Sequence, residues 1–262
     1  MKALSFIYDE KASEDYGLYI GELNANSTSS SMVSTNTELI YDSVNNRMEN
    51  FIFGVQITDK LLEFEMNLFF EDYKNIDKND IKYIDQWLFS QKFPKKLILC
   101  QEDMATYYYK AIFKKSEILY HNNKIYGFRC SIQCDSAYAY TSEKQIDLPI
   151  INNKATTRIN NISSGVSYIY PSIRFVCNKE GGSVTITNKS DNNRSLVFSN
   201  LKQGEEICVD KWFQITSSYG LKRLDNCNKK WLRLKNGVNY IEVNGDTGRL
   251  ILNYQLMQGI GS

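Results

Sequence analysis

Alternating apolar and polar positions dominate the last third of the chain. Between Leu201 and Met257, apolar residues recur at every second position, in runs separated by Gly or Asn-Gly pairs. This period is typical of strands with one buried face. The pairs Asn236-Gly237 and Asn244-Gly245 favour two-residue type I′ turns, because Asn and Gly adopt positive φ most readily. We therefore predict an antiparallel meander that closes against a second sheet in a β-sandwich.

The preceding sequence is also rich in strand patterns. Runs of this kind lie at 3–8, 50–58, 61–71, 95–100, 104–120 and 124–134. The stretch 24–38 is the most polar in the chain and is rich in Ser, Thr and Asn, which predicts a long exposed loop that a partner could order. The fold class expected for the whole chain is therefore mainly β.

A single helix interrupts these strands. It is predicted at 77–91, and its apolar face consists of Ile81, Ile84, Trp87 and Leu88. Asn79 or Asp80 can cap its start. Pro94 prevents its continuation, because proline lacks the backbone donor that a helix interior needs.

One segment looks like a domain boundary. From Ser142 to Gly165 the sequence lacks sustained periodicity and collects Asn, Thr and Ser around Pro149. Such composition is typical of a linker, and 262 residues suit two modest domains. We therefore expect an N-terminal β-rich domain at 1–145, a linker at 146–164 and a C-terminal sandwich at 165–262.

The charge balance gives no sign of a polyanionic partner. The chain has 31 Lys and Arg against 30 Asp and Glu, so no global field attracts nucleic acid or a membrane surface. The segment 211–235 is an exception, with seven basic residues against Asp225, which a solvated sheet edge with gatekeeping lysines explains. Neither a signal peptide nor a membrane span is recognisable, so we expect synthesis and folding in the cytoplasm.

Motifs for catalysis or metal binding are sparse. The only histidine, His121, is expected in an exposed turn, which argues against histidine-based triads and histidine-rich metal sites. Cys130 and Cys134 share one strand face with Phe128 and Ile132, so a buried core explains them better than zinc. All six cysteines are expected to be reduced thiols, and no nucleotide-binding motif occurs.

Several acidic residues lie close together in the sequence, and because a glycosidase needs only two carboxylates, their presence does not exclude hydrolysis. They are Glu102-Asp103, Glu205-Glu206 and the nearby Asp210. Neighbouring residues on a strand point to opposite faces, however, and catalysis needs convergent groups. We therefore predict no enzyme, and no catalytic, metal-binding or cofactor-binding residues.

Trp231 and Arg233 are the one candidate contact site. They lie on the face opposite Leu232 and Leu234, where an indole beside a cation could stack on a sugar or contact a protein partner. The favoured alternative is that Trp231 covers a hydrophobic seam, because large aromatic side chains are mostly buried.

The order of several short motifs carries a family resemblance. Gly204, Glu206 and Asp210 are followed by Leu-Arg-Leu at 232–234, Gly-Val-Asn-Tyr-Ile at 237–241 and Gly245. Earlier come Trp-Leu at 87–88, Lys-Leu-Ile-Leu at 96–99, an aromatic strand at 107–111, and Tyr-Pro-Ser-Ile at 170–173. In this order they resemble the distal tail proteins of long-tailed bacteriophages over nearly the whole chain.

That resemblance implies a structural role at the end of a phage tail. It implies a hexameric ring whose N-terminal domains continue the tail tube around a channel for DNA. Galectin-like C-terminal domains would dock tail-tip, baseplate or receptor-binding parts. The implied location is the distal virion tail, assembled in the host cytoplasm. Two alternatives stay open: a lectin-like carbohydrate-binding module for host-surface attachment, and another tail component such as a tube protein. The residues of the ring interface are not identified by the sequence.

Overall fold

The structure, a computed structural model, describes residues 5–21, 35–42, 49–59, 61–71, 78–101, 106–121, 124–164 and 168–259. The chain divides into two compact units, of which one comprises 1–140 with 258–262 and the other comprises 141–257. Within the described ranges, no helix has the length and apolar character needed to cross a membrane.

The N-terminal unit is built on one large antiparallel sheet. The strands of the unit are β1 Ser5–Tyr8, β2 Lys11–Ala12, β3 Leu18–Gly21, β4 Thr35–Asp42, β5 Phe51–Asp59, β6 Glu63–Phe70, β7 Lys95–Cys100, β8 Tyr107–His121, β9 Lys124–Cys134 and β10 Tyr138–Thr141, and all of them except β4 and β5 belong to this sheet. The main strand order is β2-β1-β7-β8-β9-β6-β3. The strand β10 pairs with β8 and with Met257–Gly259, the last described strand of the chain.

One face of this sheet carries the core of the unit. The predicted helix is present as α1, Lys78–Ile84, and continues as a π-helical turn over Asp85–Phe89. Trp87 in that turn stacks on Tyr16 and Phe6, with ring centroids 4.5 and 5.8 Å apart, and its Nε1 donates to the Tyr8 carbonyl at 2.8 Å. The helix already includes Lys78, so the two predicted capping residues lie in its first turn instead.

The strand β9 follows its predicted alternation. Phe128, Cys130, Ile132 and Cys134 are all buried in the core. The side chains between them, at 129, 131 and 133, are only half-buried. The prediction that the two cysteines belong to an apolar strand face is therefore confirmed.

The strands β4 and β5 form a separate hairpin. Among the described strands they pair only with each other. Part of the predicted loop at 24–38 was therefore wrong, because Thr35–Glu38 belongs to β4; residues 24–34 lie outside the described ranges. The alternation pattern did not predict the start of this strand, because its polar sequence lacks a continuous apolar face.

The C-terminal unit is a sandwich of two main sheets. Its strands are β11 Lys144–Pro149, β12 Lys154–Asn161, β13 Tyr168–Ile169, β14 Ser172–Cys177, β15 Gly182–Asn188, β16 Arg194–Leu201, β17 Glu206–Val209, β18 Ile215–Ser217, β19 Leu234–Lys235, β20 Gly237–Gly245 and β21 Thr247–Tyr254, followed by β22 Met257–Gly259. The sheets have the orders β11-β21-β14-β17-β18 and β12-β20-β15-β16, and β13 pairs with β19.

A single apolar core joins the two sheets. Phe175 of β14 and Phe198 of β16 come from opposite sheets, and their ring centroids lie 5.6 Å apart. Both side chains are buried, as are Ile186 and Val243 of the four-stranded sheet and Leu252 of the five-stranded sheet. The predicted β-sandwich is confirmed, and the mainly β fold class with it.

The predicted linker at 146–164 was wrong, because β11 and β12 occupy most of it. Each strand lies at the edge of one sheet, so its outward positions are polar and dilute the apolar alternation. The turn between them is Asn152-Asn153, where both residues have positive φ, 51° and 58°. An Asn-rich stretch that resembled a linker is thus a tight turn between two strands.

The two predicted type I′ hairpin turns were also wrong. At Asn244-Gly245 only the glycine has positive φ, 134°, and the chain passes from one sheet to the other between β20 and β21. A Cβ on Gly245 would lie 2.2 Å from the Ser183 carbonyl oxygen, so close packing explains the glycine. At Asn236-Gly237 again only the glycine has positive φ, 86°.

Candidate functional site

Trp231 and Arg233 lie where the sequence places them relative to the core. The residues between and after them, Leu232 and Leu234, are buried at 2% and 0% exposure. Trp231 and Arg233 are half-buried on the other side of the segment. The segment is held by β19, which pairs with β13, so that Tyr168 lies opposite Lys235.

Arg233 is held by an acid and an aromatic ring. Its Nε donates to Asp191 Oδ2 at 2.7 Å and its Nη2 donates to Oδ1 at 3.2 Å. The guanidinium also lies 3.8 Å from the centroid of the Tyr168 ring, a cation–π contact. The hydrogen bonds from Arg233 hold the pKa of the Asp191 carboxyl below its usual range. Arg233 is therefore fixed in place within the protein.

Trp231 is part of an aromatic stack. Its ring lies parallel to that of Phe213, with centroids 5.0 Å apart and 13° between the planes. Phe213 in turn meets Tyr170 edge-on at 4.9 Å. Trp231 also packs against the sandwich core. These contacts are those of a residue that covers a hydrophobic seam, and they occupy one face of the indole.

The loop Asp210–Gln214 places Phe213 in that stack. Asp210 Oδ1 accepts the backbone N–H groups of Trp212 and Gln214, both at 2.8 Å, in the manner of an Asx turn. Phe213 has a φ of 66°, a strained conformation for an aromatic residue. Trp212, beside it, is 71% exposed. No alternation of apolar residues marks this tryptophan in the sequence, where the available signal is an aspartate shortly before an aromatic pair.

The candidate catalytic carboxylates do not converge. Glu205 is fully buried and accepts hydrogen bonds from Arg223 Nε at 2.7 Å, from Ser217 and from the Lys202 backbone. Burial alone would raise the pKa of Glu205, but these hydrogen bonds outweigh it and hold that pKa at about 2. The Asp210 carboxylate accepts the backbone N–H groups of its own turn. Glu102-Asp103 lies outside the described ranges.

The remaining reactive groups have structural surroundings. All six cysteines are free thiols. Burial, with a contribution from Asp135, raises the pKa of Cys134 to about 12, which keeps this thiol protonated and unreactive. His121 ends β8 and meets Tyr126 edge-on at 6.2 Å. In the part of the chain that the structure describes, no three His, Cys, Asp or Glu residues are grouped to hold a metal ion.

Comparison with protein families identifies both halves of the chain. Residues 1–136 match a family described as phage tail protein N-terminal domain. Residues 138–254 match a family described as phage tail C-terminal domain. The chain belongs to the phage tail protein family. The match of two separate domain families in this order agrees with the two units of the fold.

Solved structures share the fold of this tail protein at low sequence identity. The Dit (gp 19.1) protein of phage SPP1, described as a paradigm of the hub adsorption apparatus in phages that infect Gram-positive bacteria, superposes with a TM-score of 0.66 and 14% identity. The match covers 98% of this chain and 99% of that one. A chain of the phage P2 baseplate in its activated, Ca-containing conformation matches with a TM-score of 0.50 and 13% identity over 98% of both chains. No protein with a curated description matches the sequence.

The resemblance to distal tail proteins is thus confirmed. The tail protein has their fold over its full length, and its family places it in the phage tail. The contact role predicted for Trp231 and Arg233 stays a prediction.

Two cations of the basic segment 211–235 of the tail protein form ion pairs within the protein. Arg223 is buried against Glu205, and Arg233 is paired with Asp191. Lys222, Lys229 and Lys230 are exposed. Two of the seven cations are therefore internal structural groups.

Proposed function

We propose that this tail protein is a non-enzymatic hub that forms a hexameric ring and joins the tail tube to the tail tip or baseplate. The observation that carries this proposal is the fold it shares, across the full length of both chains, with a phage protein described as a hub of the adsorption apparatus. In the ring, the N-terminal units continue the tube and surround a channel through which DNA passes.

The β4–β5 hairpin supplies a surface suited to ring closure. Its side chains Ile40, Tyr41, Phe51, Ile52 and Phe53 are between 46% and 71% exposed. A two-stranded hairpin is marginally stable in water by itself, and clustered apolar side chains mark interaction surfaces. We assign this hairpin to the contact with the neighbouring subunit. Such a contact joins two different patches, and six copies of it can close a ring.

The C-terminal units, predicted to be galectin-like, dock the tail-tip, baseplate or receptor-binding parts in this proposal. The seam formed by Trp231, Phe213 and Tyr170 and the neighbouring Arg233 is a candidate partner contact. Tyr170 is 38% exposed, so a partner could cover part of the stack without breaking its internal contacts. The lectin-like alternative needs a sugar site with groups that bind hydroxyls.

The hub role is tested by assembly with its neighbours. The full-length chain is mixed with the purified tail tube protein and the purified tail-tip protein of the same phage, and the products are imaged by negative-stain electron microscopy. We expect tubes that carry one ring at a single end, with the tip protein bound to the free side of the ring. Failure to associate with either protein would contradict the hub role. The exposed Tyr240→Ser serves as a control for ring formation and binding to the tube, because Tyr240 lies on the sandwich and not on the hairpin.

A further inference from the structure

The outer face of the five-stranded sheet carries an open groove of about 240 Å³. It crosses the strands β11, β21, β14, β17 and β18. The side chains that matter for its chemistry are Gln145, Ser172, Arg174, Gln214, Thr216 and Asn253. All of these belong to the C-terminal unit, and none of them belongs to the seam around Trp231.

Strand register places neutral hydrogen-bonding groups in one row across the groove. Asn253 of β21 lies opposite Gln145 of β11 on one side and opposite Ser172 of β14 on the other. The next residues along these strands, Leu252 and Ile173, are buried in the core. Because side chains alternate along a strand, the row of amide and hydroxyl groups faces outward.

At the centre of this row is an acceptor that lacks a partner. The Oδ1 atom of Asn253 is buried and receives no hydrogen bond from the described residues. A buried acceptor without a donor is destabilising, and most such groups in proteins are paired. A ligand hydroxyl that entered the groove could donate to this oxygen. The ligand therefore has to carry hydroxyl groups at its surface.

The loop that borders the groove carries an exposed tryptophan, Trp212. Asp210 and Gln214 line the groove, and Trp212 lies between them in the chain. The Asp210 turn and the stacked ring of Phe213 fix this loop, which holds a strained backbone in place. Strain held by its surroundings is typical of ligand-binding loops, and a rigid indole suits the apolar face of a sugar ring.

Two charged groups at the groove already have partners within the chain. Arg174 Nη2 lies 3.2 Å from Glu206 Oε1, and the Asp210 carboxylate serves the turn. Apart from these two groups and the Cys208 thiol, the polar groups that line the groove are amides and hydroxyls. This chemistry favours a neutral ligand over an anionic one.

We infer that this groove binds a neutral saccharide, with Asn253 as acceptor for a sugar hydroxyl and Trp212 stacked on a sugar ring. The inference goes beyond the hub role and does not depend on ring formation, because every residue involved belongs to one C-terminal unit. The residues that it assigns to the sugar contact are other than Trp231 and Arg233.

The test uses the full-length protein and a glycan array that carries neutral and anionic oligosaccharides, followed by titration calorimetry with the best neutral binder. We expect saturable binding of at least one neutral oligosaccharide. Both Trp212→Ala and Asn253→Leu should weaken it by about tenfold or more, the scale of a hot-spot residue. Tyr240→Ala, another exposed aromatic change in the same unit, should leave it unchanged.

Three outcomes would overturn the inference: no neutral glycan binds, only anionic glycans bind, or the groove variants bind as the wild type does. Trp212→Ala changes an exposed loop residue and should fold normally, so its result stands even if Asn253→Leu is unstable. The mass of the wild-type assembly is measured in the same samples. A normal ring that binds no neutral glycan would reject the groove alone, whereas glycan binding without a ring would reject the hub alone.

Discussion

The two units of the tail protein differ in how completely they bury their own strands. In the C-terminal unit, both main sheets share one core, and even the irregular segment before β19 is tied down by Arg223, Arg233 and the Asp210 turn. In the N-terminal unit, the β4–β5 hairpin pairs only with itself among the described strands and leaves large apolar side chains exposed. The C-terminal unit therefore arranges its two main sheets around one core, whereas the hairpin presents neighbouring apolar side chains that a partner could cover.

This difference indicates a division of roles. A unit whose loops are already fixed can carry a preformed binding surface. A unit with a hairpin whose apolar side chains are exposed gains stability when it assembles, because association buries those side chains. Variants in either unit, and a change of pH, test this division of roles.

Removal of the buried cation should have the largest effect. Arg223→Ala leaves the fully buried Glu205 carboxylate without its charge partner, and we expect a loss of about 3–5 kcal/mol in the free energy of unfolding. Urea denaturation measures this loss. The exposed Arg158→Ala is the matched control and should change stability by less than about 0.5 kcal/mol. Equal effects of the two changes would refute the claim that the C-terminal unit depends on this buried pair.

Acid should weaken the same pair by a smaller amount. The pKa of Glu205 is about 2 in the folded protein, below its ordinary value of 4.5, so the contribution of the ionised carboxylate to stability is present above that ordinary value and is lost as pH falls from about 5 towards 2. Protonation leaves a neutral carboxyl that still forms hydrogen bonds, so the loss is less than that of Arg223→Ala.

This acid effect is checked by urea denaturation across the same pH range. Glu205→Gln cannot be protonated and should show a flatter dependence of stability on pH than the wild type. Parallel curves for the two proteins would assign the acid sensitivity to other groups.

The crossing between the sandwich sheets should tolerate no side chain at Gly245. A Cβ there would lie 2.2 Å from the Ser183 carbonyl oxygen, and φ is 134°, so Gly245→Ala should cost about 2–3 kcal/mol of stability. Gly248→Ala, three residues on, meets no atom within 4 Å and should change the free energy of unfolding by no more than about 0.5 kcal/mol. Thermal or urea unfolding of the two variants compares them directly.

The hairpin variant should affect assembly and spare folding. Ile52→Ser with Phe53→Ser changes two exposed side chains, so the unfolding free energy of the monomer should move by less than about 0.5 kcal/mol. Each subunit contact should weaken by about 2 kcal/mol or more if these residues anchor it. Sedimentation over a range of concentrations measures the contact. A variant that assembles as the wild type does would remove the hairpin from the interface.

Local patterns in the sequence predicted the individual elements well. The alternation around Cys130 and the helical spacing around Trp87 depend only on neighbouring residues, and both appear in the structure. Strand partners depend on residues far apart, and here the predictions were wrong. Asn244-Gly245 is an ordinary hairpin dipeptide, yet the close approach of Ser183 makes it a crossing between sheets.

The site was predictable only in part, for the same reason. The alternation from Trp231 to Leu234 correctly separated inward from outward positions. The partners that hold the outward residues, Phe213 and Asp191, are distant in sequence, so their contacts could not be predicted. The groove around Asn253 depends on the register of three strands, and no local pattern encodes that register.

The most direct test of the hub account is the native mass of the purified wild-type protein, measured by multi-angle light scattering and paired with negative-stain images of the same fraction. Six chains of 30.4 kDa give about 182 kDa, and we expect that mass together with rings that have a central hole. A particle of one chain, both alone and after addition of the tail tube protein, would contradict the account.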